Sequence, residues 1–93
     1  MTHTPGVLVR QAARILGVSP DTLDEASARD AFLARPGDVA SALVHEAANN
    51  DDVIDRESAR DYLEDRLDFL GPLLDAETAD AIRKAFEERV REW

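Results

Sequence analysis

Cysteine is absent from the chain, which excludes a disulfide framework and any thiolate metal site. No run approaches the length of apolar sequence that crosses a bilayer. A charged stretch followed by an apolar one, the mark of a secretory leader, is also missing at the start. Four glycines, none clustered, leave no phosphate-cradling loop. With two histidines, His3 and His45, the sequence offers no plausible Ser–His–acid set and no metal constellation. Aromatic residues number five: Phe32, Tyr62, Phe69, Phe86 and Trp93. These absences predict a non-enzymatic, cytoplasmic protein with no cofactor and no membrane partner.

What the chain does have is alanine, acid and helical periodicity. Of its 93 residues 15 are alanine, and 20 acids against 11 bases give a net charge of −9. The imbalance is uneven. Residues 1–20 hold Arg10 and Arg14 and no acid, and every acid lies from Asp21 onward. Such a chain is a poor ligand for phosphate backbones or anionic lipid. The length suits one domain, and an alanine-rich core is thin, which predicts modest stability or further burial by self-association into a homo-oligomer.

The apolar spacing predicts a single all-α domain over 1–93, a compact bundle of five short helices near 6–16, 24–34, 38–48, 55–70 and 75–92. Leu8, Ala12, Ile15 and Leu16 form the first apolar face, with Gly17 as its left-handed exit. Pro36-Gly37 reads as the end of the second helix, and Gly71-Pro72 as a left-handed exit from the fourth. Val39, Ala42, Leu43 and Ala47 face inward on the third helix. Ala59, Tyr62, Leu63, Leu67 and Leu70 do so on the fourth, and Ala79, Ile82, Phe86, Val90 and Trp93 on the fifth. Asp80–Lys84 and Glu87–Arg91 read as favourable i,i+4 pairs.

Three helix starts share one pattern: Leu23-Asp24, Ile54-Asp55 and Leu74-Asp75, each followed three residues after the Asp by Ser or Thr and then by Ala. Asp in this position is an N-cap, and the preceding Leu or Ile can staple onto the first turn. Convergence on capping explains the likeness better than a repeat, because the spacings differ.

The fourth helix carries Glu57, Asp61, Glu64, Asp65 and Asp68 within about 100° of arc. The pairs 57–61, 61–65 and 64–68 are like-charged neighbours, and together they oppose the helix by about 1 kcal/mol. Against a total stability of about 5–10 kcal/mol that is a noticeable cost. A basic protein surface is the partner that offsets it, and these five residues are the candidate partner-binding set. An acid-rich proteome or a saline interior also produces acidic surfaces, which is the competing explanation.

Other motifs carry less. His45-Glu46-Ala47-Ala48-Asn49 resembles the zincin H-E-x-x-H pattern with Asn49 in place of the second ligand. Asn49, Asp51 and Asp55 have EF-hand spacing but lack its glycine and bidentate Glu, so the stretch reads as a polar turn. It also resembles the acidic loop of tellurite-resistance helical domains. Ala12 to Leu23 resembles the helix-turn-helix of bacterial regulators, which implies DNA binding by residues 10–33. The recognition helix would present Asp21, Asp24, Glu25 and Asp30 against Arg29 and Arg35, and carboxylates repel phosphates. Arg66 falls within the apolar arc of the fourth helix and needs an acid such as Asp30 or Glu46, or else an interface.

The reading that follows is an acidic protein-interaction module of the inhibitor, antitoxin or immunity-protein kind, which binds a basic surface or imitates nucleic acid. A helix-turn-helix regulator and a self-associating structural subunit are the alternatives.

Overall fold

A computed structural model describes residues 6–91 and 93. Expectations that fall on residues 1–5, His3 among them, and on residue 92 lie outside the described residues.

The described residues form α1 (Val7–Leu16), α2 (Glu25–Ala34), α3 (Pro36–Ala48), α4 (Arg56–Phe69) and α5 (Ala76–Arg89), with single 3-10 turns at Pro20–Thr22 and Gly71–Leu73. No strand occurs among them. The fold is the expected small all-α bundle. Its extents of 47 × 27 × 18 Å make it a slab about two helices thick, given a helix diameter of about 10 Å.

α3 lies at the centre and packs against each of the other four helices, most extensively against α5. Its sequence explains the position. Val39, Ala40, Leu43 and Ala47 are fully buried, and Ala42 and Val44 are partly so. So broad an apolar arc has to be covered from several directions, while Asp38, Ser41, His45 and Ala48 keep one stripe of the helix exposed. Around it Phe32, Leu63, Leu67, Leu70, Leu73, Ile82, Phe86 and Val90 close one core. On α1 the buried set is Val9, Ala12, Ala13 and Ile15, so the face is rotated by part of a turn from the expected one, and Leu8 and Leu16 pack at its edge.

The three Asp caps form as the sequence reads. Asp24 accepts from the Ser27 amide at 2.7 Å, Asp55 from the Ser58 amide at 2.8 Å and Asp75 from the Thr78 amide at 2.7 Å. At α4 the cap is reciprocal, because the Ser58 hydroxyl accepts from the Asp55 amide at 3.0 Å. The likeness of the three starts is thus capping chemistry.

Several boundaries differ from expectation, each for a local reason. Pro36 opens α3 and does not merely end α2. Arg35 is the single hinge residue between them, at φ −134 and ψ 54. Proline lacks the amide that a helix interior needs but suits the first helical position. Gly71 is not left-handed. Leu70 keeps helical dihedrals and the chain runs into the Gly71–Leu73 turn, closed by the Leu73 amide on the Leu70 carbonyl at 2.8 Å. Among the described residues Gly17 alone has positive φ, at 71, as predicted. α5 ends at Arg89, and Trp93, half-exposed, hangs on a turn in which its amide reaches the Val90 carbonyl at 3.0 Å.

Candidate interaction face

Glu57, Asp61, Glu64, Asp65 and Asp68 are all exposed on α4. The capped start at Asp55 fixes the rotation of the helix, and burial of Ala59, Leu63 and Leu67 turns the acids outward. They are not equivalent. Glu64 is held by Arg83 of α5, Nε to Oε2 at 2.9 Å and Nη2 to Oε1 at 3.0 Å. Arg83 also reaches Asp80 at 2.9 Å. A second fork runs the other way, from Arg60 of α4 to Glu87 of α5, with Nη2 to Oε2 at 2.9 Å, and it holds the Glu87 carboxyl below its ordinary value. α5 therefore directs its charges into α4, and the expected Asp80–Lys84 and Glu87–Arg91 pairs give way to Asp80–Arg83 and Arg60–Glu87. Glu57 is within electrostatic reach of Arg60. Among the described residues Asp61, Asp65 and Asp68 have no cation within 4.0 Å.

The fold adds acids that the helical pattern could not reveal. The turn after α3 brings Asp52 beside Asp61 and Asp65, and these line one depression together with Asn50, Tyr62 and Arg66. Next to it Asp52, Asp55, Glu57 and Asp61 line a second depression with Ile54, a residue 83% exposed. The cue in the sequence was Ile54 preceding an N-cap. Its expected staple does not bury it, and its amide bonds the Ser58 hydroxyl at 2.9 Å.

Behind this face lies an open groove of about 700 Å³, walled by Arg14 of α1, His45 and Glu46 of α3, the turn through Asp52, and Tyr62 and Arg66 of α4. Glu46 accepts from the Tyr62 hydroxyl at 3.1 Å and lies 3.7 Å from Arg14 Nε. Burial first, and then the Glu46 charge, raise the Tyr62 phenol above its ordinary 10.0, so it stays protonated and donating. Arg66 does not find the acid predicted for it. Neither Asp30 nor Glu46 is within ion-pair distance, and the guanidinium carbon sits 5.5 Å from the centre of the Tyr62 ring. Its Nε is buried and without an acceptor. An unmet buried donor costs about 1–3 kcal/mol, and the contact with the ring recovers part of this.

The remaining motifs resolve locally. Asn49, in the place of a second zincin histidine, folds back so that its amide donates to the His45 carbonyl at 2.9 Å. Asn50 closes the polar turn by accepting from the Asp52 amide at 2.9 Å. In the helix-turn-helix segment Arg29 of α2 directs Nε and Nη2 onto the Pro72 carbonyl at 3.2 and 3.0 Å, so a donor that DNA would need is engaged within the fold, while Asp21, Glu25 and Asp30 stay exposed.

Comparison with protein-family models, curated proteins and solved structures finds no match.

Proposed function

We propose that this protein is a non-enzymatic acidic module whose α4 face, Glu57, Asp61, Asp65 and Asp68 extended by Asp52, binds a basic protein surface. The observation that carries the reading is the unequal treatment of the stripe. Glu64 is neutralised from within by Arg83, whereas Asp61, Asp65 and Asp68 remain exposed with no cation within 4.0 Å among the described residues. Of the five residues that the sequence singles out, Glu64 therefore serves the bundle first and the partner second.

Ile54 fits the same reading. Interfaces combine an apolar anchor with a polar rim, and Ile54 stands exposed amid four carboxylates. Charge would speed encounter and select partners of opposite sign, and the aliphatic contact would add residence time. Inhibitors, antitoxins and immunity proteins are functional classes that use such a surface.

The test is capture from the native host by the tagged chain and by a variant with Asp61, Asp65 and Asp68 changed to Lys. The native chain is expected to retain proteins rich in Lys and Arg, released as ionic strength rises. The variant, folded by circular dichroism, is expected to lose them. Retention of the same proteins by the variant refutes the proposal.

A further inference from the structure

The link between α2 and α3 is the single residue Arg35, at φ −134 and ψ 54. Its amide closes α2 on the Ala31 carbonyl at 3.0 Å, and its carbonyl receives the Val39 amide of α3 at 3.1 Å. Both bonds are those of a helix, so a change of φ and ψ at this one residue would join α2 and α3 into one helix from Glu25 to Ala48. The carbonyls of Leu33 and Ala34 would then receive the amides of Gly37 and Asp38. At the uncapped start of α3 these two amides have no acceptor among the described residues.

Pro36 opposes that rearrangement. Inside a continuous helix it would offer the Phe32 carbonyl no amide, and its ring would press on that carbonyl. It also disfavours helical dihedrals at Arg35. At the first position of α3, where it now stands, the missing amide costs nothing. Pro36 therefore holds the bend.

Straightening the bend would move α1 and α2 as one unit, since they pack on each other, and carry them off α3 and the Gly71–Leu73 turn. Val9, Ala12, Ala13, Ile15, Ala28 and Phe32, all buried, would lose their cover. A lone opened chain would expose this apolar surface to water, which is unfavourable. The surface that matches it is the one it left, and in a second copy opened the same way that surface is vacant. Two such chains could trade α1 and α2 and remake the same contacts, the Arg14–Glu46 pair and the Arg29 bonds to Pro72 included.

We infer that the chain exchanges Val7–Ala34 between two copies by straightening at Arg35, and that Pro36 sets the share of the exchanged form. The partner is a second copy of this chain, recognised through contacts the chain already makes with itself. The inference does not rest on the acidic face, which lies on α4 outside the exchanged segment.

The test unfolds the native chain, Pro36→Ala and Pro36→Ser in urea, refolds each over a range of concentrations and measures mass by light scattering. The native chain is expected to be chiefly monomeric. Pro36→Ala is expected to raise the dimerisation constant at least about a hundredfold, tenfold for each of two hinges. Pro36→Ser restores the amide with a different side chain and is expected to change it in the same direction, so the test survives the failure of one variant to fold. Exchange is told from surface association by adding Arg14→Cys and Glu46→Cys to the dimerising variant. These side chains lie 3.7 Å apart between α1 and α3, and the chain has no other cysteine. A short bismaleimide is expected to link the monomer within one chain and the dimer between chains, as read on a denaturing gel. Variants no more dimeric than the native chain overturn the inference. Dimers whose links stay within one chain are surface associations and overturn it as well.

Discussion

Glu64 and Arg83 face each other across the α4–α5 boundary in a two-pronged ion pair, at 2.9 and 3.0 Å. Both side chains are about half exposed, so solvent screens the pair and its coupling is modest. A double-mutant cycle on Glu64→Ala and Arg83→Ala is expected to give about 0.5–1 kcal/mol by denaturant unfolding. Charge reversal should separate the two kinds of acid on the stripe. Glu64→Lys sets a cation against Arg83 and lowers stability. Asp65→Lys removes the Asp61–Asp65 repulsion and leaves stability equal or slightly higher.

Ser58 serves the start of α4 twice, since its hydroxyl accepts from the amides of both Ile54 and Asp55. Ser58→Ala removes both acceptances while leaving the Asp55 side chain in place. The expected loss is about 1 kcal/mol, read as a lower urea midpoint with an unchanged denaturant slope.

The caps also set an acid limb. The Ser58 amide, then its hydroxyl, hold the Asp55 carboxyl below its ordinary value of 3.8, and the Thr78 backbone and side chain do the same for Asp75. A carboxyl whose value is lower in the folded chain stabilises the fold above its ordinary value, and that stability is lost as pH falls below it. The native chain is therefore expected to lose stability below about pH 4. The double variant Asp55→Asn, Asp75→Asn keeps cap acceptors that do not titrate, and its stability should decline less over the same range. Parallel curves would show that the caps do not govern the acid limb.

Tyr62→Phe removes the hydroxyl that donates to Glu46 at 3.1 Å and keeps the ring beneath Arg66. The expected loss is about 1 kcal/mol by denaturant unfolding. The Arg66 Nε–H resonance should stay where it is, because its neighbour is the ring and not the hydroxyl.

Local chemistry was the legible part of this molecule. The Asp24, Asp55 and Asp75 caps, the left-handed Gly17 and the five helices all follow from residues within one turn of each other, and short-range rules reach that far. Pairing between helices was not legible. Glu87 has Arg91 four residues along, yet it bonds Arg60, which lies 27 positions earlier. Helical spacing ranks neighbours along one element and is silent about the helix that packs alongside. Arg66 failed for the same reason. Its place in the apolar arc signalled an oddity, but of the two acids expected for it, Asp30 and Glu46, neither pairs with it, and Glu46 is engaged by Tyr62. The acidic face was legible along α4 and not across the turn, because Asp52 joins Asp61 and Asp65 through the tertiary fold.

Arg56 donates from Nη2 to the carbonyls of Arg91 at 2.7 Å and Trp93 at 3.3 Å, so the first residue of α4 holds the turn that carries Trp93. The sequence contains a single tryptophan and a single tyrosine, and the fold gives them separate stations. Indole emission follows whether that turn stays fastened to α4. The phenol of Tyr62 stands at the edge of the groove. The chain thus carries two built-in optical groups at separate places, one on the turn held by α4 and one beside the Glu46 carboxylate, without any attached dye.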